Sequence, residues 1–275
     1  MHWRRHGHRH VRRSCLKFEV TKCEENNITD KKLAIVTGGT RGIGLEISKA
    51  LIADGYQVAA LYAGNEKTAK AFRDETGHAT YKIDVTDMEA CIAGVEKMIK
   101  KFGTPAVLVN NAGGAPAAEA ATASPRFSES IIRLNLLAPL NFSQCANAVM
   151  QQQESGGSII NIASVSAIRP SPLTAAYGAA KAGLVNLCTS LAVEWAPKVR
   201  VNAIIAGLVR TEQAHLHYGD DAGIAAVGAT IPLGRMAVPE DIGDACLFRI
   251  GGTERRQPTR SFRLESGDVV ILGGE

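Results

Sequence analysis

The sequence has no apolar run approaching the roughly 18 residues that a membrane-spanning helix needs, so no membrane partner is expected. It also has no Cys-x-x-Cys pair. Its six cysteines lie scattered at positions 15, 23, 91, 145, 188 and 246, a spacing that suits neither a disulfide framework nor a zinc site. Cys91, Cys145 and Cys188 fall within helical patterns and read as small core fillers. A reducing compartment, the cytoplasm, is the expected location, and no metal is required. The first fourteen residues, MHWRRHGHRHVRRS, lack the apolar core of a secretory signal. Residues 1–30 are expected to be a disordered basic leader rich in His and Arg, with an organelle transit peptide as the alternative.

Basic charge is missing from the body of the chain. The formal net charge is +4, but residues 1–32 alone carry nine Lys/Arg against four acids. Residues 249–263 add five Arg against Glu254, and the remainder is net acidic. No basic surface is left for a phosphate backbone to follow, which excludes a nucleic-acid role. With 45% hydrophobic and 21% charged residues, the chain can bury a full core.

No internal repeat or interdomain linker interrupts the pattern from Lys31 onward. Runs rich in Val and Ile at Leu33–Thr37, Gln57–Tyr62, Ala79–Ile83, Ala106–Asn110, Ser158–Ala163, Val199–Ile204 and Asp268–Leu272 read as strands. They do not alternate, as expected for strands buried on both faces of a parallel sheet. Helical windows lie between them, at 43–54, 66–76, 87–102, 125–153, 174–196 and 239–248. The third opens on Thr86-Asp-Met-Glu89, which has the form of a capping box. Strand–helix alternation of this kind predicts an α/β fold. It is a single-domain Rossmann fold over residues 31–275, with a doubly wound, mostly parallel seven-stranded sheet and helices on both faces.

The first strand runs straight into Thr37-Gly-Gly-Thr-Arg-Gly-Ile-Gly44 and an amphipathic helix. Gly38 permits a tight turn, Gly42 lets the backbone approach a pyrophosphate, and Gly44 allows close packing of helix on strand. The helix N-terminus then offers free N–H groups and a positive dipole end. A plain strand-to-helix turn would use glycine too, but strand, turn and helix occur here in the order a dinucleotide site needs.

Further along, Tyr177-Gly-Ala-Ala-Lys181 places a phenol and an amine one turn apart on one helix face. A free tyrosine titrates near ~10, too high for proton exchange at neutral pH. A neighbouring ammonium is expected to lower that value.

These motifs resemble those of the short-chain dehydrogenase/reductase family. The glycine spacing is TGxxxGxG, Asn110-Asn-Ala-Gly113 matches the family's NNAG, and the matches span about residues 33–248. The resemblance implies cofactor contacts from Gly38, Thr40, Arg41, Gly42, Ile43, Gly44, Asn111, Ala112 and Gly113, and from Asp84 and Val85 at the adenine. Tyr177, Lys181 and Thr211 would border the nicotinamide end. It implies Ser164, Tyr177, Lys181 and Asn135 as the catalytic group. Ser166 stands close to Ser164 as a competitor, and Asn135 could equally be a helix-bending core amide. In the roles so implied, Ser164 and Tyr177 act on the substrate oxygen. Lys181 holds the nicotinamide ribose and tunes the phenol, and Asn135 positions a proton-relaying water. The second strand ends in Leu61-Tyr-Ala-Gly-Asn65, with no acid to accept from a ribose 2′-hydroxyl, and Arg41 is placed to pair with a 2′-phosphate. NADP(H) is therefore expected over NAD(H).

Other segments bear on substrate and assembly. Residues 208–232, with His215, His217 and Tyr218, read as a mobile substrate lid. The stretches around Tyr62-Ala-Gly-Asn65 and Tyr81-Lys-Ile-Asp84 are similar to 3-oxoacyl-carrier-protein and acetoacetyl-CoA reductases. The segment from Gly113 to Phe248 is closer to other bacterial members, some acting on hydroxysteroids or acyl-CoA intermediates. Reduction of a ketone, foremost a 3-oxoacyl thioester, is the implied activity. Oxidation of a secondary alcohol is one alternative, and an NADP-binding scaffold with impaired turnover is another. The family also implies a homo-oligomer, a tetramer or a dimer. Two departures stand out: Ala206 replaces the proline of the family's NxxxPG, and RIGGTERRQPTRSFR at 249–263 is too basic for the usual buried connection. That segment is expected to be an exposed loop that weakens the oligomer interface.

Overall fold

The computed structural model describes residues 31–250 and 269–273, the last five as backbone. The expected leader and most of the basic segment that follows Ile250 lie outside the described residues.

One sheet organises the chain. Its strands are β1 (Leu33–Thr37), β2 (Gln57–Tyr62), β3 (Ala79–Lys82), β4 (Pro105–Asn110), β5 (Gly157–Ser164), β6 (Val199–Ala206) and β7 (Val269–Gly273). Their spatial order is β3-β2-β1-β4-β5-β6-β7. The first six are parallel, while β7 runs antiparallel to β6. The helices are α1 (Gly42–Ala53), α2 (Glu66–Thr76), α3 (Met88–Phe102), α4 (Pro125–Ile132), α5 (Ala138–Met150), α6 (Ala175–Trp195), α7 (His215–Tyr218), α8 (Asp221–Ala229) and α9 (Pro239–Ile250). No described helix is long and apolar enough to cross a membrane.

Burial of both sheet faces explains the unbroken apolar strands. Successive β1 residues enter opposite cores: Leu33 and Ile35 join α3, α5 and α6, while Ala34 and Val36 join α1, α2 and α9. Each face is thereby withdrawn from water by a helical layer. Gly243 lets α9 settle on α1, since a Cβ there would lie 3.1 Å from the Glu46 carbonyl oxygen. Cys91, Cys145, Cys188 and Cys246 are all buried free thiols, and burial pushes Cys91 and Cys188 up to about 12. They are inert core residues at neutral pH.

Two local expectations need correction. The single helix read over 125–153 is α4 and α5 joined by a π turn at Arg133–Leu137, a wider hydrogen-bond spacing that buries Asn135 and leaves Leu137 exposed. The cap of α3 is Asp87, whose carboxylate accepts from Glu89 N and Ala90 N at 3.0 and 3.1 Å. Thr86 instead turns its hydroxyl to Asp84 at 2.8 Å, so no Thr–Glu capping box forms.

A buried polar chain ties the sheet to its helices. Asn110 donates to Asn161 Oδ1 and Ser143 Oγ, both at 2.9 Å, and Asn161 donates to Cys188 Sγ at 3.2 Å. Asn110→Ala would strand these acceptors where water cannot replace the donor, at an expected cost of about 2–3 kcal/mol. Urea unfolding measures it, and a loss below about 0.5 kcal/mol would show the chain to be dispensable.

Candidate active site

The strand order reverses between β1 and β4, and the connections from their carboxyl ends diverge to open a crevice. A cleft of about 800 Å³ occupies it, lined at one end by the glycine turn and at the other by Ser164, Tyr177 and Tyr218.

The glycine turn is sewn to β4. Thr37 Oγ1 accepts from the Asn111 and Ala112 amides at 2.9 and 3.0 Å, and Asn111 Nδ2 donates to Thr37 O at 3.1 Å. Gly38 (φ 64°) and Gly42 (φ 52°) adopt left-handed backbone that costs glycine nothing. A Cβ on Gly44 would lie 2.1 Å from the Gly38 carbonyl oxygen. Arg41 stands at the N-cap of α1 without capping it, and the first turn carries no acid. The N–H end of α1 therefore opens on a turn in which Gly38, Gly42 and Gly44 lack a Cβ and the first helical turn carries no acid, which fits a pyrophosphate. Ile43 and the buried Thr40 line the cleft beside it.

At the adenosine end, Asn65 caps α2 by accepting from Thr68 N at 3.1 Å, and Thr68 Oγ1 lies 3.3 Å from Thr40 Oγ1. Arg41 is exposed above them. Glu66 is an acid near this end that the reading of the strand terminus passed over. It is bound by the Tyr62 phenol and by Arg73 at 2.9 Å, which hold its carboxyl below the usual carboxylate range. Asp84 accepts from the Thr86 amide at 2.9 Å in a short turn, and Val85 is buried next to it.

At the opposite end, Ser164 terminates β5 and Tyr177 and Lys181 project from α6. The Ser164 hydroxyl stands beside the Tyr177 phenol at this end of the cleft. Ser166 lies in a separate hydroxyl chain, accepting from Ser171 Oγ at 3.0 Å, so its competition with Ser164 is resolved by direction. Burial raises the Tyr177 phenol above its ordinary value, and the neighbouring Ser164 hydroxyl opposes that rise. The expected downward pull from the ammonium is not what governs the phenol here. Lys181 Nζ sits 5.6 Å from the ring centroid and donates to the Ile162 carbonyl at 2.8 Å. With no carboxylate among these contacts and 3% exposure, burial lowers the lysine to about 8.

Asn135 lies in the π turn, fully buried, and its amide is wholly engaged with backbone. It donates to Gly114 O and Ile131 O and accepts from Gly114 N, all at 2.9 Å. A Cβ on Gly113 would fall 2.7 Å from Asn135 Oδ1 and 3.2 Å from Lys181 Nζ, so this glycine lets three elements converge. Thr211 lines the cleft after β6, with Glu212 beside it. The Glu212 carboxylate reaches 3.3 Å from the position a Cβ on Gly42 would take. His215 is exposed on α7, and the side chain of His217 is outside the described part of the chain. Arg169, Glu212 and Thr68 line the cleft without having been singled out in the sequence. Arg169 and Glu212 are loop residues with no motif, and Thr68 lies in the first turn of α2, where no sequence pattern marks it.

Residues 38–250 match a family model described as enoyl-(acyl carrier protein) reductase. An acetoacetyl-CoA reductase of Paracoccus denitrificans is 40% identical over 220 residues, covering 79% of this chain and 89% of that protein. A 3alpha-hydroxysteroid dehydrogenase of Mediterraneibacter gnavus is 35% identical over 226 residues, covering 79% and 88%. A variant of actinorhodin polyketide ketoreductase, solved with NADPH, superposes with a TM-score of 0.75 at 29% identity, covering 81% of this chain and 91% of the other. The chain belongs to the short-chain dehydrogenase/reductase family and is an oxidoreductase of that family.

The buried lysine makes stability depend on pH. The unfolded chain keeps Lys181 charged up to about its model value of 10.5, whereas the folded chain releases the proton near 8. The penalty of burying an ammonium is thus complete below pH 8 and fades as pH rises toward 10.5. Lys181→Met removes that penalty. The melting temperature of the variant, relative to wild type, should be most favourable near pH 7 and fall back as pH rises; a pH-independent difference would show that folding leaves the lysine's proton affinity unchanged.

Proposed function

We propose that this chain is an NADPH-dependent reductase of ketones, with a 3-oxoacyl thioester as its substrate class. The observation that carries the reading is the single cleft that joins the glycine turn at the head of α1 to the Ser164 and Tyr177 hydroxyls. The acetoacetyl-CoA reductase relative supplies the substrate class, and the NADPH of the ketoreductase neighbour supports the cofactor.

In this reading the cofactor lies along the cleft. The cradle of Gly38, Gly42, Ile43 and Gly44 holds its pyrophosphate, and Asp84 and Val85 border the adenine. Arg41, with Thr40 nearby, meets the 2′-phosphate. Asn111, Ala112, Gly113 and Thr211 border the nicotinamide half. Bound there, the reduced nicotinamide supplies a hydride for the substrate carbonyl carbon. Ser164 donates a hydrogen bond to the carbonyl oxygen, stabilising the charge that gathers on it. Tyr177 gives that oxygen its proton. The phenol stays protonated before reaction because burial disfavours its anion. Lys181, held by the Ile162 carbonyl, lies within electrostatic reach of the phenolate left behind. Asn135 acts as a positioning residue, since its amide holds the Gly114 backbone and leaves no donor for substrate.

We read residues 31–275 as one dinucleotide-binding domain that works in the cytoplasm as a homo-oligomer of two or four copies. Val193, 81% exposed on α6, is an apolar side chain such an assembly would cover. Oxidation of a secondary alcohol is the second reading, favoured by the hydroxysteroid dehydrogenase relative.

A panel of 3-oxoacyl thioesters, plain ketones and hydroxysteroids, followed by NADPH or NADP absorbance, separates the two. Tyr177→Phe should lower kcat by about 10²–10⁴-fold, the span of a lost general acid, and wild-type turnover in the variant would refute the assignment. Arg41→Asp should cut the NADPH-to-NADH ratio of kcat/KM by about tenfold or more, as expected for loss of a charge-assisted phosphate contact. An unchanged ratio would remove Arg41 from the 2′-phosphate.

A further inference from the structure

Among the described residues, three cations line the cleft: Arg41, Lys181 and Arg169. Arg41 belongs to the glycine turn, and Lys181 is buried at the reacting end. Arg169 has no part in the chemistry above. It is exposed, on the stretch between Ser164 and Tyr177, and no carboxylate of the described residues pairs with it.

The loop that carries it is built to hold its place. The amides of Ile168 and Arg169 both donate to the Val165 carbonyl at 3.1 Å. Pro170 and Pro172 on either side of Ser171 restrict the backbone. Ser171 Oγ bonds Ser166 Oγ at 3.0 Å and Thr174 Oγ1 at 2.5 Å, which closes the loop on itself. Leu173 keeps a φ of 63°, unusual for a leucine, while its carbonyl accepts from Ala118 N at 2.8 Å. Gly178 seats α6 against the loop, because a Cβ there would come 3.0 Å from the Ser166 carbonyl oxygen. An exposed surface arginine needs no such support.

Tyr218, at the end of α7, lines the same cleft as Arg169. The Arg169 cation lowers the Tyr218 phenol against the rise that burial causes, and Tyr218 in turn raises Tyr177. The Tyr218 ring therefore stands in electrostatic reach of both the reacting phenol and Arg169. Arg169 is thus an exposed cation on the wall of the cleft that also holds Ser164, Tyr177 and Tyr218.

We propose that Arg169 is a specificity-determining residue that binds the phosphate of the substrate's phosphopantetheine arm as the arm leaves the cleft. The proposal rests on the thioester reading above. Coenzyme A and an acyl carrier protein both present an acyl group on that arm, so the phosphate is the shared chemistry, and a planar guanidinium matches it with paired donors.

The test compares acetoacetyl-CoA, acetoacetyl-acyl carrier protein and acetoacetyl-N-acetylcysteamine, the last lacking any phosphate. Wild type, Arg169→Gln and Arg169→Lys are assayed on each with NADPH. In Arg169→Gln the kcat/KM ratio of acetoacetyl-CoA to the N-acetylcysteamine thioester should fall about tenfold, mainly through KM, with partial recovery in Arg169→Lys. A fall on both phosphate-bearing substrates upholds the proposal; a fall confined to one overturns it, because the arm's phosphate is common to both, and assigns Arg169 to groups of that carrier alone. A ratio unchanged from wild type overturns it. Failure of the wild type to reduce any of the three would instead sink the thioester reading, which keeps the two ideas separable.

Discussion

The cleft depends on a polar seam at the carboxyl ends of the central strands. Thr37 and Asn111 lock the turn after β1 to the segment after β4, and Asn110 and Asn161 lock β4 to β5 and to the helices behind them. Each of these groups is partly or fully withdrawn from water, where an unmade hydrogen bond is costly and a made one has few alternatives. The seam can therefore close in one way only. It sets the separation between the anion cradle on α1 and the hydroxyl pair at the end of β5, and with it the span available to a dinucleotide.

Placing Lys181 in this setting has an energetic consequence for the free enzyme. The ammonium lies almost wholly out of water with a carbonyl as its partner, which stabilises the charge less than a carboxylate would. Burial disfavours charge on the phenol as well. The pair thus stays poised, each group held near the protonation state that the chemistry must change, and neither locked by an opposite charge. A carboxylate close to Lys181 would have stabilised the fold and neutralised the cation the phenolate needs.

Much of this was legible in the chain. The strands were readable because burial on both faces demands continuous apolar runs, and all seven lie within two residues of expectation at either end. The glycine turn was readable because only glycine tolerates the backbone at Gly38 and Gly42 and the absent Cβ at Gly44. Tyr177 and Lys181 were readable because helical spacing converts four residues of sequence into a shared face. The π turn at Arg133–Leu137, the Asp87 cap and the antiparallel sense of β7 were not. Each turns on hydrogen-bond choices among neighbours that the hydrophobic pattern does not specify.

What the sequence alone determined was the set of chemical parts and their order along the chain, since periodicity and backbone restriction are local. What only the tertiary structure decided was which parts meet. That Ser164 and Tyr177 share one cleft, that Lys181 donates to the Ile162 carbonyl, and that Arg169 and Tyr218 line that cleft are outcomes of strand ends and loops brought together from distant positions. Distance in space, burial and the competition among nearby donors are properties of the folded chain, and no local pattern encodes them.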